Sequence, residues 1–357
     1  MAINKHIMLT GAGFTNNFGS HLAHEVWAEI FNDKNIQKYP EIINSLYNTQ
    51  INIDNAITSH QFDYEAAYHQ IIYGKYDGGK YHPYKKEVKD AFKGVIKLIY
   101  ERIDDIVRNH MLTDRVGTYG KFPEDTNIYD LVRSFDIDTK ENYIFTINQD
   151  IFIERHIKLG FYIPGFPVNE RATNIFGLEK NKQLDDKHYY YVPNLSTSVI
   201  KIEDRANKDN HLFYIKLHGS CNWFKSIKDS SEHVMIIGYN KIKQSKGEPL
   251  LNYYHDVFTD VVNKGDVNIL IIGYGFKDDN INKILKNAVY NNGLRLHVIN
   301  PAPINKFYEF NQYPLVSENL KLRRWIEDGL KGYYPYKLSD IMANDILFNT
   351  LKENFFN

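Results

Sequence analysis

A short apolar run near the start of the chain ends in a glycine turn and leads into a helical pattern. The run Ile7-Met8-Leu9 continues as Thr10-Gly11-Ala12-Gly13-Phe14-Thr15, and an amphipathic pattern begins near residue 18. Glycine suits such a turn because a Cβ would block both the tight backbone path and the close approach of a phosphate. The stretch predicts a buried strand, placed centrally in a sheet, and a helix whose N-terminus faces a ligand.

This strand–turn–helix unit is typical of a Rossmann-type sheet, but two features separate it from ordinary dehydrogenases. The third glycine of the dinucleotide pattern would fall at position 16, which is Asn16, and the next glycine is Gly19. No strand is predicted where the ribose-binding acidic residue should follow, because residues 20–31 have a helical pattern. The turn either binds a nucleotide or only gives the backbone the geometry it needs to reverse direction. An ordinary dehydrogenase is disfavoured.

The composition is that of a globular protein without a strong charge bias. The chain has 357 residues, of which 43% are hydrophobic and 24% charged, and its formal net charge is −1. This balance gives no net electrostatic attraction of the whole protein to nucleic acid or to a membrane. Cys221 is the only cysteine, which excludes an intrachain disulfide and a cysteine-based zinc site. Because we find neither a membrane-length apolar run nor room for a signal peptide before the first strand, we expect a cytoplasmic protein.

Apolar runs along the chain predict an α/β fold, a Rossmann-like, mostly parallel sheet flanked by helices, without a zinc ribbon. Further strands are predicted at 143–147, 212–217, 233–237, 267–272 and 294–299, and helices at 20–31, 40–73, 85–111, 123–134, 253–262, around 320–330 and 338–351. The glycine-rich segment 74–80 is expected to be a surface loop. The predicted organisation is a domain over 1–310, with a helical insertion at about 31–140 and a small loop-rich module at about 151–210, and a helical extension over 311–357.

Polar or glycine-containing motifs follow several of the predicted strands at the point where each strand ends. They are Asn148 and Asp150, His218 and Ser220, Gly273 and Gly275, and Asn300. Ligands of open α/β sheets bind at the carboxyl edge of the strands, so these residues are candidates for a binding site. Structural alternatives stay open: Asn148 and Asp150 also suit helix caps, and Asn300 suits an Asn-Pro turn. His218 has the alternative of an ordinary loop histidine.

Taken in order, these motifs resemble the sirtuin family, and more closely the sirtuin-like domains of bacterial anti-phage defence proteins. Sirtuins carry a Gly-Ala-Gly-hydrophobe-Ser turn, then Gln-Asn-hydrophobe-Asp, His-Gly, a Gly-Thr-Ser-type turn and a strand ending in Asn. The similar positions here are Gly11–Thr15, Ile147–Asp150, His218–Gly219, Gly273–Gly275 and Asn300. The resemblance covers about residues 6–301, and the run at 273–282 looks like the defence proteins rather than the deacylases.

Two departures from the sirtuin deacylases bear on the implied function. Asn16-Asn17-Phe18-Gly19 stands where deacylases usually carry Gly-Ile-Pro-x-Phe-Arg, and Cys221 alone cannot form their four-cysteine zinc module. The acyl-lysine peptide normally lies between that module and the Rossmann domain. The resemblance therefore implies a site that uses NAD+ as substrate without a metal, and it favours hydrolysis of NAD+ over protein deacylation.

The resemblance also implies a role for each candidate residue. Asn148 would hold water or substrate at the anomeric carbon, and Asp150 would anchor the nicotinamide amide or the ribose. His218 would act as base toward a ribose hydroxyl or the attacking water. The remaining candidates are contacts to the dinucleotide: Gly11, Ala12, Gly13 and Thr15 at the pyrophosphate, Phe14 beside the ribose, Gly273, Gly275 and Asn300 at the adenosine half, and Ser220.

The function implied in this way is an NAD+ glycohydrolase that depletes NAD+ in anti-phage defence. Two alternatives stay open, an NAD-dependent protein deacylase and a non-catalytic subunit that senses NAD+ or ADP-ribose. We find no nuclease, ATPase or repeat pattern after Asn300. We therefore expect a homo-oligomer that works with a partner subunit, either a HerA-type ATPase or an Argonaute-like protein, and that binds neither nucleic acid nor membrane directly.

Overall fold

The structure is a computed structural model that describes most of the chain in segments. The described residues are 5–51, 64–77, 80–113, 127–135, 142–153, 179–180, 190–192, 212–226, 229–238, 241–304 and 324–356. Most of the predicted module at 151–210 and parts of the insertion at 31–140 lie outside these residues. The predicted boundaries of both therefore stay predictions.

Twelve strands are found in the described residues. They are β1 (Lys5–Thr10), β2 (Lys75–Asp77), β3 (Lys80–His82), β4 (Asn142–Thr146), β5 (Glu179–Lys180), β6 (Tyr190–Tyr191), β7 (Leu212–Lys216), β8 (Gly219–Ser226), β9 (Asp229–Met235), β10 (Val267–Ile272), β11 (Arg295–Ile299) and β12 (Leu330–Tyr334). Six of them form the main sheet, in the order β12-β11-β10-β1-β4-β7. All neighbours in this sheet are parallel. The prediction of a Rossmann-like parallel sheet is confirmed.

The chain builds this sheet outward from β1 in both directions. It first adds β4 and β7 on one side, and then returns to add β10, β11 and β12 on the other. This is the strand order of a doubly wound Rossmann sheet, and β1 is central as its sequence predicts. Ile7, Met8 and Leu9 are fully buried, as are Ile269, Leu270 and Ile271 of β10. Such continuous apolar runs are typical of parallel strands with helices on both faces.

Helices surround the sheet along the described chain. They are α1 (Ala12–Asn16), α2 (Ala23–Asn32), α3 (Pro40–Ile51), α4 (Tyr64–Tyr73), α5 (Lys86–Thr113), α6 (Asn127–Arg133), α7 (Lys241–Lys246), α8 (Pro249–Val262), α9 (Asp279–Asn292), α10 (Leu338–Met342) and α11 (Asp345–Phe356). Where it is described, the predicted insertion consists of helices and the short hairpin β2–β3, and its helices α4 and α5 pack against each other and against α2. Within the described residues, no helix combines the length and apolarity needed to cross a membrane.

Three local predictions differ from the structure. Residues 324–329 are helical as predicted, but they lead into β12, which extends the main sheet. β12 was missed because Lys331 and Gly332 interrupt its apolar pattern, as an edge strand permits. The glycine-rich segment expected to be a loop contributes to the hairpin β2–β3. The strand predicted at 233–237 is the end of β9, which belongs to a separate four-stranded sheet, β5-β6-β8-β9.

Candidate functional site

One row of paired residues crosses all six strands of the main sheet near their carboxyl ends. In sheet order the row is Lys216, Thr146, Thr10, Ile272, Ile299 and Tyr334. The segments that follow these residues therefore leave the sheet along a single edge. This register explains why motifs scattered along the sequence meet at one place.

A cavity of about 110 Å³ lies at this edge, on the side of β1, β4 and β7. Its walls come from the segment after β1, the end of β4, the turn after β7, the helical insertion and the start of α7. Among the predicted residues, it is lined by Ala12, Thr15, Asn148, Asp150 and His218. The three predicted catalytic side chains thus share one polar cavity.

The glycine turn after β1 packs against the glycine turn after β10. The N–H of Gly11 donates to the carbonyl of Ile272, and the N–H of Gly13 to that of Gly273, each at 3.0 Å. Gly273 has a φ of 65°, and a Cβ on it would lie 2.1 Å from the backbone nitrogen of Phe14. Glycine is required here because two backbone turns touch. The N–H groups of Gly11 and Gly13 are therefore already hydrogen-bonded within the protein, and the predicted pyrophosphate cradle stays a prediction.

Thr15 joins Asn148 to Asp150 inside the cavity. Its Oγ1 donates to Oδ2 of Asp150 at 3.0 Å and accepts from Nδ2 of Asn148 at 3.3 Å. Nδ2 of Asn148 also donates to the carbonyl of Gly11 at 3.0 Å. Because these bonds commit the amide nitrogen, the carbonyl oxygen Oδ1 of Asn148 is the amide atom left for a ligand.

Asp150 also organises the turn after β4. Its Oδ1 accepts a hydrogen bond from the N–H of Phe152 at 3.1 Å, and Nζ of Lys216 donates to its backbone carbonyl. One carboxylate oxygen therefore supports the backbone, in line with the capping alternative, while the other holds Thr15. Asp150 fixes the shape of the cavity wall on which Asn148 lies.

His218 lies in the tight turn between β7 and β8. The next residue, Gly219, has a φ of 74°, and a Cβ on it would lie 2.0 Å from the carbonyl oxygen of Val234. This turn brings Nε2 of His218 to 3.1 Å from Oδ2 of Asp278, with both side chains buried. The contact has the distance of an ion pair without the alignment of a hydrogen bond. Nδ1 is therefore the ring nitrogen of His218 left for a ligand.

Asp278 holds its position by capping a helix. Its Oδ1 accepts hydrogen bonds from the N–H groups of Asn280 and Ile281, at 3.0 and 3.1 Å, at the start of α9. Burial by itself raises the pKa of Asp278. The contact with His218, the charge of Lys241 and the N–H of Ile281 outweigh this effect, so the pKa falls well below its usual range. Asp278 is a buried carboxylate beside His218.

Lys241 connects Asp278 to the helical insertion. Its Nζ lies 3.4 Å from Oδ2 of Asp278 and 3.0 Å from Oε2 of Glu65, which belongs to α4. Burial lowers the pKa of Lys241, but the charges and hydrogen bonds of Glu65 and Asp278 raise it above its ordinary value. The ammonium group therefore stays charged, and it offsets the carboxylates of Glu65 at the cavity wall and of Asp278 behind it.

Two of the predicted cofactor contacts are core residues in this structure. Phe14 is fully buried, with its ring 5.9 Å from that of Phe18 and 5.8 Å from that of Phe152. Ser220 is also fully buried, and its Oγ donates to the carbonyl of Gln149 at 3.3 Å. The ring of Phe14 packs into the core and does not line the cavity, and the expected contact with a ribose stays a prediction.

The predicted adenosine contacts lie farther along the same sheet edge. Gly273 is occupied by its contact with the turn after β1, whereas Gly275 is exposed. Oδ1 of Asn300 accepts a hydrogen bond from the N–H of Ala302 at 2.9 Å. This hydrogen bond belongs to an Asn-Pro turn, the alternative to a ligand contact that the sequence leaves open for Asn300. The Asn300 side chain therefore stabilises the local backbone in this structure.

Several cavity residues were missed by the sequence analysis, namely Glu65, Tyr100, Gln149 and Lys241, together with Asp278 behind His218. Oη of Tyr100 donates to Oε1 of Gln149 at 2.7 Å, and Nε2 of Gln149 donates to the carbonyl of Ile236 at 2.9 Å. Asp278 lies at the start of α9 and belongs to none of the strand-end motifs. Glu65 and Lys241 reach the cavity from distant segments, and no local motif marks them.

Fold and site together define the class of protein: a Rossmann-type α/β protein with a polar cavity at the carboxyl edge of its sheet. Comparison with known families is consistent with this class. Residues 142–312, a little under half of the chain, match the family described as SIR2-like domain. This match supports a sirtuin-like family member and implies use of NAD+. No curated protein matched the chain.

The cavity is small compared with ordinary ligand sites. Small-molecule sites usually measure about 300–1,000 Å³, and this cavity is smaller at about 110 Å³. Oδ1 of Asn148 and Nδ1 of His218 are polar atoms available to a ligand in this cavity. Among the described residues, no group of three or more His, Cys, Asp or Glu side chains is arranged to hold a metal ion.

Proposed function

We propose that this chain is an NAD+ glycohydrolase, which cleaves the nicotinamide–ribose bond and releases nicotinamide and ADP-ribose. The observation that carries the proposal is the enclosure of Asn148 and His218 in one polar cavity. That cavity lies at the ligand-binding edge of a Rossmann sheet, and both residues belong to the segment 142–312 that matches a SIR2-like domain.

Each side chain has a role that the geometry supports. Water adds to the ribose carbon as nicotinamide leaves with the bonding electrons, and one proton is released. The fixed Oδ1 of Asn148 holds the water or the ribose where positive charge develops. Nδ1 of His218 accepts the proton, while the carboxylate of Asp278 holds the other side of the ring.

The test is incubation of the purified protein with NAD+, with nicotinamide and ADP-ribose measured by chromatography. We expect Asn148→Ala and His218→Ala each to lower the rate at least ~100-fold, in line with loss of a positioned polar group or base. His24→Ala is the matched control, because His24 is an exposed histidine of α2. Wild-type rates in both site variants would show that the cavity is not the active site.

The same assay separates the alternatives. A protein deacylase would release nicotinamide only when an acyl-lysine peptide is added. A sensing subunit would bind NAD+ and leave it intact after long incubation. Product formation from NAD+ alone distinguishes the proposed hydrolase from both.

We further propose that the enzyme depletes NAD+ in the cytoplasm during anti-phage defence, as a homo-oligomer with a HerA-type ATPase or an Argonaute-like partner. The resemblance of the 273–282 run to defence proteins supports this role. Co-purification with the product of a neighbouring gene, and NAD+ levels in infected cells with and without that gene, test it. Unchanged NAD+ levels during infection would contradict the role in defence.

A further inference from the structure

A second cavity, of about 280 Å³, lies between the helical insertion and the small sheet. We call it the basic pocket and define it by six of its lining residues: Tyr68, Tyr73, Lys93, Lys97, Lys225 and His233. We propose that the basic pocket binds a small nucleotide with a flat base and one or two phosphate groups, separately from the NAD+ site.

The charges of the basic pocket favour an anion. Lys93 and Lys97 line it from successive turns of α5, and neither makes an ion pair within the described residues. The third lysine, Lys225, is already paired with Glu248, the acidic residue at the pocket wall. Like charges four residues apart on a helix destabilise it, and a phosphate between them offsets that cost.

The positive charge of Lys93 and Lys97 also acts on His233, which lines the basic pocket. The pKa of His233 falls to about 4, because burial and the charges of Lys97 and Lys93 lower it by more than its hydrogen bond with the backbone of Cys221 raises it. The two ammonium groups therefore act on the pocket wall formed by β9. Nδ1 of His233 lies 2.9 Å from the carbonyl oxygen of Cys221, so the neutral ring donates from this nitrogen.

The basic pocket also has aromatic and apolar lining. Tyr68 and Tyr73 come from α4, and Ile72, Ile96 and Met235 line the same pocket. Tyr73 is 46% exposed as a residue, and its Oη donates to Oε1 of Gln244 at 3.3 Å. Aromatic side chains next to lysines are the combination that binds a base and its phosphate. The pocket volume is near the lower end of small-molecule sites, which suits a mononucleotide.

Ile236 connects the basic pocket to the candidate active site. It lines the basic pocket, its N–H donates to the carbonyl of His218, and its carbonyl accepts from Nε2 of Gln149, both at 2.9 Å. A nucleotide that bridges α5 and β9 would fix this backbone, and with it His218 and Gln149. We expect such a ligand to raise the rate of NAD+ cleavage, a consequence that rests on the proposed function.

Calorimetry tests binding without reference to activity. ADP is titrated into the full chain, with adenosine and inorganic phosphate as separate probes. We expect ADP to bind, and the double variant Lys93→Gln/Lys97→Gln to weaken its binding at least 10-fold. The control is Lys86→Gln/Lys89→Gln on the same helix, which changes the charge equally outside the pocket lining. Asn148→Ala should leave ADP binding unchanged.

Several results would overturn the proposal. One is that neither the wild type nor the Lys93/Lys97 variant binds ADP, and another is that both bind ADP equally, with circular dichroism showing that both are folded. Inorganic phosphate binding as tightly as ADP would contradict a nucleotide site. Loss of ADP binding in Asn148→Ala would place the nucleotide in the NAD+ cavity. The protein could also bind ADP through Lys93 and Lys97 and yet fail to cleave NAD+. That result would support the basic pocket and refute the proposed function.

Discussion

Nε2 of His218 and Oδ2 of Asp278 lie 3.1 Å apart, and neither side chain is more than 4% exposed. Asp278 is held by its helix cap, so it fixes the imidazole from a rigid element rather than from a loop. This contact couples the turn after β7 to the start of α9, across the carboxyl edge of the sheet. Asp278 acts through His218, and we regard it as a positioning residue.

The variant Asp278→Asn should lower the rate of NAD+ cleavage about 10- to 100-fold, the usual effect of losing the partner that orients a functional histidine. Asparagine keeps an oxygen for the α9 cap and removes the charge beside His218. We expect a lower kcat, a smaller change in KM and a shifted pH profile. Asp279→Asn, at an exposed position in the first turn of α9, is the control. Equal pH profiles for wild type and Asp278→Asn would contradict the positioning role.

Lys241→Met should shift the acid limb of the pH–rate profile toward higher pH. Lys241 is one of the charges that lower the pKa of Asp278, so its removal raises that pKa. Asp278 then takes up a proton at a higher pH and loses its charge beside His218. Lys243→Met, in the same helix but outside the cavity lining, is the matched control. An acid limb at the wild-type position would show that Lys241 does not tune the site.

Thr15→Val should reduce activity about 10-fold, because it removes the hydroxyl that joins Asn148 to Asp150 at similar side-chain volume. Thr15→Ser keeps the hydroxyl and should restore most of the rate. Steady-state kinetics with NAD+ compare the two variants. If serine and valine have the same effect, the hydroxyl has no part in the site.

Gly273→Ala should destabilise the fold by at least ~3 kcal/mol, because Gly273 has positive φ and its Cβ would meet the backbone of Phe14. Gly275→Ala is the matched control, since the nearest atom to its Cβ would be 3.9 Å away, on the Lys277 side chain. We expect its effect to be within ~0.5 kcal/mol. Urea unfolding measures both, and equal stability of the two variants would refute the contact between the turns.

The protein should lose stability as the pH falls from about 6.5 toward 4. Burial lowers the pKa of both His255 and His297 to about 4, below the ordinary value near 6.5 expected in the unfolded chain. The unfolded state therefore takes up these protons first. The contribution of the neutral rings to the free energy of unfolding is fully present above pH 6.5. As the pH falls below 6.5, this contribution declines by ~1 kcal/mol per pH unit for each histidine.

Urea unfolding at several pH values measures this decline. His297→Gln should make it shallower, because one buried ring no longer titrates, whereas His24→Gln should leave the slope unchanged. An unaltered slope in His297→Gln would show that His297 does not contribute to the acid sensitivity.

The sequence predicts the sheet well because parallel strands buried on both faces leave continuous apolar runs. The central position of β1 and the common edge of the strand-end motifs follow from the same reasoning. β12 was missed because an edge strand tolerates Lys331 and Gly332. Both glycine turns were predicted, but the contact between them was not. Gly13 contacts Gly273, and a contact between residues so far apart in the sequence leaves no local signal.

The candidate site was only partly predictable for a related reason. Asn148 and His218 follow strands, so the register of the sheet brings them to one edge. Glu65 and Lys241 reach the cavity from an insertion and a short helix, whose placement depends on tertiary packing. Local sequence also does not show that the Phe14 ring turns toward the core.

The position of β1 has a consequence for how the protein can be divided. The recognisable segment begins at residue 142, yet β1 lies between its strands β4 and β10 and hydrogen-bonds to both. A fragment cut at that boundary would carry two strands with unpaired inner edges, which invites aggregation. The smallest autonomous folding unit therefore has to include β1, and fragments for expression should be designed around the sheet instead of the family boundary.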